Sequence, residues 1–189
     1  MNKRVLIALY GKSASGKDTI AKAIVSKLPE ITHFVVSATT RPRRENEVDG
    51  VDYHFLTDAE MLKKIMNFEI IEASTHKWVY GTLDSEIKAD KINIAVLNME
   101  GIDILIENRD IEVIPVMIQT SDKTRLLRSL QREDNPNCNE IVRRFSADQK
   151  DFENQPFEPK IVFRNNNEDD FNYAMQELSK IVVQKYGRK

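Results

Sequence analysis

The sequence predicts a single α/β domain in which a parallel sheet is covered by helices on both faces. Three observations support this prediction. Apolar runs of strand length alternate with segments of helical periodicity. The chain has 189 residues, the length of one domain, with neither internal repeats nor an interdomain linker. The hydrophobic fraction of 41% and the charged fraction of 31% are typical of a globular protein.

The chain begins with the clearest strand, loop and helix. Residues Arg4 to Tyr10 form a continuous apolar run bounded by Gly11, which predicts a buried parallel strand. A loop of small residues extends to Gly16. Apolar residues at helical spacing then predict a helix from Lys17 to Leu28, which ends before a proline.

The middle of the chain combines a long irregular segment with short elements. A strand is predicted at 34–37, and residues 38–56 lack helical periodicity and are rich in charge, glycine and proline. Thr57 and Glu60 form a capping-box pattern that starts a helix. The apolar stripe of this helix comprises Met61, Leu62, Ile65 and Met66. Short strands are predicted at 69–72 and 78–82.

The second half alternates strands and helices more regularly. Strands are predicted at 92–97, 113–118 and 161–163, and helices at 101–108, 121–132, 140–152 and 168–185. A polar segment, 133–139, joins two of the helices. Pro115 cannot donate to a strand ladder, which favours an edge position or a bulge for its strand.

Charge and composition exclude several classes of protein. The net charge of −2 predicts no global attraction to nucleic acid. The longest apolar run is too short to span a bilayer, and no signal-peptide pattern opens the chain. Cys138 is the one cysteine, so it forms no internal disulfide. We expect a cytoplasmic protein, monomeric or homodimeric, whose partners are small molecules.

The loop after the first strand predicts a phosphate-binding P-loop. Residues Gly11 to Lys17 match G-x-x-x-x-G-K, and the predicted strand and helix provide the context that the motif requires. Small residues allow backbone amides to surround a phosphate, and the helix N-terminus adds partial positive charge. The residues predicted to bind ATP here are Gly11, Ser13, Ala14, Ser15, Gly16, Lys17, Asp18 and Thr19.

Asp18 stands where the motif usually has a serine or threonine that binds Mg²⁺. A carboxylate is a hard oxygen donor, so Asp18 is predicted to be the metal ligand. Without the ion its charge would repel a triphosphate, which predicts a strict Mg²⁺ requirement. Asp18 could alternatively, or in addition, interact with the helix N-terminal dipole.

The irregular segment 37–55 predicts a second anion site. Three arginines stand within four positions, from Arg41 to Arg44, and guanidinium groups suit phosphate oxygens. Pro42 stiffens the loop, and the hydroxyl of Tyr53 adds a donor. The other interpretation is a solvated charged loop, because nearby carboxylates nearly cancel the positive charge.

In this segment the sequence resembles the guanylate kinase family. The stretch T-T-R-x-x-R-x-x-E-x-D-G-x-D-Y-H-F, residues 39–55, is close to the signature with which that family binds the phosphate of GMP. Residues 70–73 look like the F-[IL]-E-W segment, and residues 80–82 look like Y-G-[ST]. Arg132 and Arg144 fall where the family has lid arginines, and Asn165 near its late N-D-D segment.

The resemblance implies the fold and activity of nucleoside monophosphate kinases. The expected fold is a P-loop NTPase core of three layers with a parallel sheet, a lid and an acceptor-binding subdomain. Their expected ranges are about 1–36, 92–132 and 153–189 for the core, 37–91 for the acceptor-binding part and 133–152 for the lid. The expected reaction transfers the γ-phosphoryl group of Mg²⁺-bound ATP to GMP or dGMP.

The resemblance also implies a role for each matching residue. Arg41, Arg44, Tyr53 and Tyr80 would hold the acceptor phosphate, and Ser37, Glu72 and Thr82 would read guanine. Arg132 and Arg144 would close over the transferred group and act in catalysis with Lys17 and Arg41. Asn165 would contact ATP.

Two positions depart from the family pattern L-D-I-D-x-Q-G. Aligned on Gly101, the two aspartates become Val96 and Asn98, and we assign Asn98 to the acceptor site. The G-K-D loop together with an asparagine in this strand also resembles ribose 1,5-bisphosphate phosphokinases, and the G-K-D loop alone resembles that of some broad-specificity phage deoxynucleotide kinases. Another deoxynucleotide or ribose 1,5-bisphosphate is therefore an alternative acceptor. A non-catalytic binding module is the remaining alternative, although such modules usually lack an intact P-loop.

Overall fold

The computed structural model describes residues 3–73, 76–132, 134–153 and 155–188. The strands are β1 (Arg4–Tyr10), β2 (Thr32–Phe34), β3 (Ala38–Thr39), β4 (His54–Phe55), β5 (Ile65–Ala73), β6 (His76–Leu83), β7 (Ile92–Val96), β8 (Ile111–Gln119) and β9 (Ile161–Arg164). The helices are α1 (Lys17–Lys27), α2 (Asp58–Lys64), α3 (Met99–Ile106), α4 (Asp122–Gln131), α5 (Cys138–Glu153) and α6 (Glu168–Tyr186). Within these ranges, no helix has the length and apolar character needed to cross a membrane.

The main sheet is parallel, as the sequence predicted. Its strand order is β2-β7-β1-β8-β9, and each neighbouring pair runs in the same direction. β1 lies at the centre because its run from Val5 to Tyr10 is buried at every position. The carboxyl end of β1 therefore delivers the glycine-rich loop to the middle of one sheet edge, where α/β proteins place their ligands.

Alternate residues of β1 divide the core into two layers. Val5, Ile7 and Leu9 belong to a buried cluster with side chains of α1 and α6. Leu6 and Ala8 point to the opposite face, where side chains of α3 pack. This alternation follows from the two-residue period of a strand. It confirms the prediction that helices cover both faces of the parallel sheet.

A second sheet is formed by four of the described strands. Its order is β4-β3-β6-β5, with β6 antiparallel to both neighbours and β3 parallel to β4. Ala38, Met61 and Leu83 form its small buried cluster. The sheet falls within the range that the sequence assigned to acceptor binding, and the division into core, acceptor-binding part and lid stays a prediction.

Some predicted boundaries and one predicted position were wrong. The strand predicted at 34–37 is Thr32–Phe34. Helix α2 ends at Lys64. Ile65 has an extended backbone and is the first residue of β5, where it pairs with Leu83 of β6. Tertiary pairing of β5 with β6 overrides the helical spacing of the apolar residues.

Pro115 does not mark an edge strand. β8 lies between β1 and β9, and its register with β1 is continuous through the pair of Ala8 and Pro115. The pairing of β8 with β9 begins only at Val116. Pro115 therefore precedes the stretch that pairs with β9, which explains how an inner strand tolerates a residue without an N–H group.

The capping box of α2 gives a first testable prediction. The Thr57 hydroxyl accepts from the amide of Glu60, and the Glu60 carboxylate accepts from the amide of Thr57. We expect Thr57→Ala to lower the free energy of unfolding by about 1 kcal/mol. Urea denaturation followed by circular dichroism measures this change. Ser146→Ala on the exposed side of α5 is the control, and an equal effect in both variants would contradict the capping argument.

Candidate active site

The phosphate-binding loop has the conformation that its glycines predict. Gly16 precedes α1 with a φ of 89°, and Ala14 also has a positive φ of 59°. A Cβ atom at Gly16 would collide with the side-chain amide of Asn165. Glycine at position 16 is therefore required both by the backbone angle and by the close approach of Asn165.

Polar groups support this loop from beneath. The carbonyl of Ser15 accepts hydrogen bonds from Asn165 Nδ2 at 2.8 Å, Thr120 Oγ1 at 3.0 Å and Arg128 Nη1 at 3.4 Å. Asn165 is only 4% exposed and lies under the loop. Its observed role is to support the loop, and its contact with ATP stays a prediction.

Lys17 starts α1 and lines the cavity above the loop. Burial lowers the pKa of its ammonium group below the ordinary value, and the nearby guanidinium groups of Arg125 and Arg132 lower it further. The carboxylates of Asp18 and Asp148 act in the opposite direction. A desolvated lysine with two guanidinium groups nearby favours an anion, because a bound phosphate would interact with all three cations and offset the cost of burying the ammonium group.

Ser13, at the tip of the loop, is held by two helices. Its amide donates to Asp148 Oδ2 at 2.9 Å, and its hydroxyl lies 3.1 Å from Asp148 Oδ1. Its carbonyl accepts from Arg125 Nε at 2.9 Å. Arg125 is on α4 and Asp148 is on α5, so the loop is tied to both helices.

The second predicted anion site is organised around Arg41. This side chain is 6% exposed and donates from Nε to the hydroxyl of Tyr80 at 3.0 Å. Its Nη1 and Nη2 atoms donate to the carboxylate of Glu47 at 3.0 and 2.7 Å. These bonds to Glu47 raise the pKa of the Arg41 guanidinium above its ordinary value. The ring of Tyr53 lies against the guanidinium, with its centroid 5.6 Å away.

One cavity of about 960 Å³ joins the two predicted anion sites. Ligand pockets typically measure roughly 300–1,000 Å³, so this volume suits two small molecules or one large one. The predicted site residues that line it are Ser13, Ala14, Gly16, Lys17, Asp18, Thr19, Ser37, Arg41, Arg44, Tyr53, Tyr80, Asn98, Arg132 and Arg144. The structure therefore brings together residues from distant parts of the chain.

Other predicted residues lie beside or outside this cavity. Ser15 is buried within the loop, and Gly11 packs closely against the backbone of Ile118. Thr82 is buried in β6. The side chain of Glu72, the predicted reader of guanine, lies outside the described residues.

The two predicted lid arginines reach the cavity from different helices. Arg132 follows the last turn of α4, and Arg144 lies on α5. Arg144 donates to Glu140 at 2.7 Å, and Arg143 donates to the same carboxylate. These hydrogen bonds lower the pKa of Glu140 to about 2. Four arginine or lysine side chains predicted to be catalytic, Lys17, Arg41, Arg132 and Arg144, thus face one space.

Comparison with known proteins agrees with this arrangement. The sequence profile of a family described as guanylate kinase matches residues 3–185. The chain belongs to the guanylate kinase family.

Two curated guanylate kinases illustrate the similarity. The chain is 35% identical to the Helicobacter hepaticus protein over 106 residues, which cover 53% of this chain and 52% of that one. It is 41% identical to the Thermotoga maritima protein over 88 residues, which cover 46% and 42%. The matched part thus spans about half the length of these curated relatives.

The fold of guanylate kinases extends over nearly the whole chain. A crystal structure of guanylate kinase from Anaplasma phagocytophilum superposes on this chain with a TM-score of 0.60. The superposed region covers 98% of this chain and 88% of the Anaplasma chain. The sequence identity is 19%, so this likeness concerns the fold.

The departure at Asn98 has a structural explanation in this guanylate kinase family member. Asn98 is the N-cap of α3, and its side-chain oxygen accepts from the amide of Gly101 at 2.9 Å. Asparagine caps a helix about as well as aspartate does, so the helix start is maintained. Val96, at the other changed position, also lines the cavity. The site therefore has less negative charge here than the family pattern implies.

Four residues in or beside this site of the guanylate kinase family member had no role predicted from the sequence: Glu47, Arg125, Arg128 and Asp148. Glu47 is part of the signature at residues 39–55 and of the charge balance of its loop, but the sequence assigned it no role of its own. Arg125, Arg128 and Arg132 recur at helical spacing on α4, which indicates one shared face. That periodicity was the available signal. Nothing local to Asp148 indicates its partner, because Ser13 is 135 residues away.

Proposed function

We propose that this protein transfers the γ-phosphoryl group of ATP to GMP or dGMP. The observation that carries the proposal is the single cavity that connects the P-loop at Lys17 with the Arg41–Tyr80 anion site. Two anions bound at these ends would meet in the space that Arg132 and Arg144 line. A binding module needs one anion site, whereas phosphoryl transfer between nucleotides needs both.

The choice of guanine follows from the resemblance to guanylate kinases, and the chemistry of a carboxylate is consistent with it. Guanine presents an N1–H and an exocyclic amino group together, and one carboxylate accepts from both, the role we propose for Glu72. Adenine has no such pair of donors. A carboxylate left without partners would disfavour the wrong base, and sites of this kind discriminate by roughly 10⁴ or more. Ser37 and Thr82 are proposed to assist Glu72.

The transfer itself needs positioning and charge neutralisation. An acceptor phosphate has a second pKa of about 6, so at neutral pH its oxygen is already ionised and no general base is required. A bond forms between this oxygen and the γ-phosphorus while the bond to the β,γ-bridging oxygen breaks, which leaves ADP. Lys17 and the arginines stabilise the charge on the transferred group.

Mg²⁺ fits the donor set of this site. Asp18 lies in the first turn of α1, is exposed and lines the cavity next to Lys17, so a carboxylate is present where the motif usually has a hydroxyl ligand. When bound, the ion would neutralise phosphate charge and orient the triphosphate. The setting that we propose for the enzyme is cytoplasmic, as a monomer or homodimer.

The first test is ADP release from Mg·ATP with a panel of acceptors: GMP, dGMP, AMP, CMP, dTMP and ribose 1,5-bisphosphate. Strong preference for GMP or dGMP supports the proposal. Preference for another acceptor would mean that the changes at Asp18 and Asn98 mark a different specificity. Binding of ATP without transfer to any acceptor would favour the binding module.

Replacement of Asp18 gives a second testable prediction. We expect Asp18→Ser to reduce turnover by about tenfold or more and to raise the Mg²⁺ concentration needed for half-maximal rate, because the strongest oxygen donor is lost. Steady-state rates across a Mg²⁺ titration measure both effects. The matched control is Asp58→Ser, which changes an exposed aspartate in the first turn of α2 and outside the cavity. An unchanged rate for Asp18→Ser would refute the metal-ligand assignment.

A further inference from the structure

The contacts of Ser13 involve every polar group of that residue. Its amide and hydroxyl contact the carboxylate of Asp148, and its carbonyl accepts from Arg125. Asp148 and Arg125 also form an ion pair with each other. The three residues therefore make a closed triangle between the P-loop, α4 and α5, which we call the Ser13 latch.

The latch is buried and has further support at its edges. The side chain of Arg125 is 2% exposed and that of Asp148 is 14% exposed. Arg125 also contacts Asp122 at 2.8 Å and lies 5.0 Å from the centroid of the Phe145 ring. Beside Asp148, Gln149 accepts from Lys12 Nζ at 2.6 Å. Two neighbouring residues of α5 are thus fastened to two neighbouring residues of the P-loop.

Stability alone does not explain such a pair. Burial of an arginine and a carboxylate carries a large desolvation penalty, and a buried ion pair is often no better for stability than apolar side chains. A buried pair with defined hydrogen bonds does, however, hold the two helices that carry it in one specific arrangement. The two helices here are those with the lid arginines.

Helical geometry connects the latch to those arginines. Asp148 lies four residues after Arg144 on α5, so both side chains are on one face, one turn apart. Arg125 lies seven residues before Arg132, about two turns along one face of α4. Fixing Asp148 and Arg125 at Ser13 therefore fixes both the rotation of each helix and its height above the P-loop.

We propose that Asp148 and Arg125 are positioning residues that latch α4 and α5 to the P-loop and thereby hold Arg132 and Arg144 over the transferred phosphoryl group. This inference rests on the proposed function for its catalytic part. Ser13 then serves as the attachment point of the lid, while the remaining amides of the loop surround the phosphates.

The variant Asp148→Asn tests the latch with little change in volume. The carboxylate faces three donors, namely the amide and hydroxyl of Ser13 and Arg125 Nη2, and an amide group has one acceptor oxygen for them. We expect kcat to fall by about 10²-fold, because a displacement of about 1 Å at the reacting groups has that effect. We expect KM for ATP and for the acceptor to change less than about threefold. ATP hydrolysis without acceptor should rise relative to transfer, because a displaced lid admits water.

Two further variants sharpen this experiment. Asp151→Asn changes an exposed aspartate one turn further along α5 and should leave kcat, KM and hydrolysis unchanged. Arg125→Lys keeps the positive charge but loses the guanidinium fork that reaches both Ser13 and Asp148. It should reproduce the pattern of Asp148→Asn. Normal turnover in Arg125→Lys would mean that charge alone suffices, which overturns the positioning role.

Hydrogen exchange provides a measurement that does not depend on turnover. In the nucleotide-free protein, the Ser13 amide donates to Asp148, so its exchange should be faster in Asp148→Asn and unchanged in Asp151→Asn. Unchanged exchange at Ser13 would overturn the latch, as would faster exchange with normal kcat. If the wild-type protein transferred phosphate to no acceptor, the proposed function would fail, while the exchange result would still decide whether the latch exists.

Discussion

Turnover of the Lys17→Met variant is expected to be lower by at least about 10³-fold. Lys17 is the cation at the start of α1 that faces the cavity, and methionine retains the length of the side chain without its charge. The developing charge on the transferred group would lose a preorganised partner in a partly desolvated site. Loss of one such group typically costs about 10²–10³ in rate, and arginine fingers contribute about 10³–10⁵.

Steady-state kinetics with Mg·ATP and GMP measure this effect, with thermal denaturation to verify folding. Lys27→Met is the matched control, since Lys27 is an exposed lysine in the last turn of the same helix. Its turnover should equal that of the wild type. A Lys17→Met enzyme with more than a tenth of the wild-type kcat would contradict the assignment of Lys17 to the transition state.

The Arg132→Ala variant is expected to lose turnover far more than acceptor affinity. Arg132 ends α4 at the rim of the cavity and is exposed, so its removal leaves no buried group unpaired. By analogy with arginine fingers, we expect kcat to fall by about 10³-fold or more. KM for GMP should change much less, because Arg41, Arg44, Tyr53 and Tyr80 are proposed to hold its phosphate.

Separate determination of kcat and KM for the acceptor tests this prediction. Arg109→Ala, which changes an exposed arginine in the turn before β8, is the control and should behave as the wild type. The opposite pattern, with a large rise in KM and a nearly constant kcat, would assign Arg132 to binding of the ground state.

Local signals determined much of the predicted structure. The apolar run of β1, the small residues of the loop and the periodicity of α1 are sufficient to predict the P-loop, because each element depends on its own residues. The capping box of α2 was predicted for the same reason and is present. The C-terminal end of α2 was predicted wrongly, because Ile65 and Met66 belong to β5. That strand forms by pairing with β6, which comes later in the sequence and leaves no signal within the helix.

For the candidate site, too, some features were predictable from local sequence and others depend on the fold. The residue types and spacing around Lys17 and Arg41 predicted two anion sites, because glycine-rich loops before a helix and clustered guanidinium groups suit phosphate, although a solvated charged loop stayed open for the arginine segment. That both sites open into one cavity is a property of the fold. Asn165 was predicted as a contact of ATP, and the fold places it beneath the loop as a support for Ser15.

The sequence by itself determined the α/β class, the P-loop motif and the resemblance to guanylate kinases, and it predicted the arginine-rich anion site, because these depend on residues close together in the chain. Only the tertiary structure decided that Glu47 engages Arg41 and that Asp148 and Arg125 enclose Ser13. The contact of Asp148 with Ser13 joins residues 135 positions apart. Such a contact leaves no local periodicity, since its energy comes from burial and complementary charge that exist only once α4 and α5 pack beside the loop.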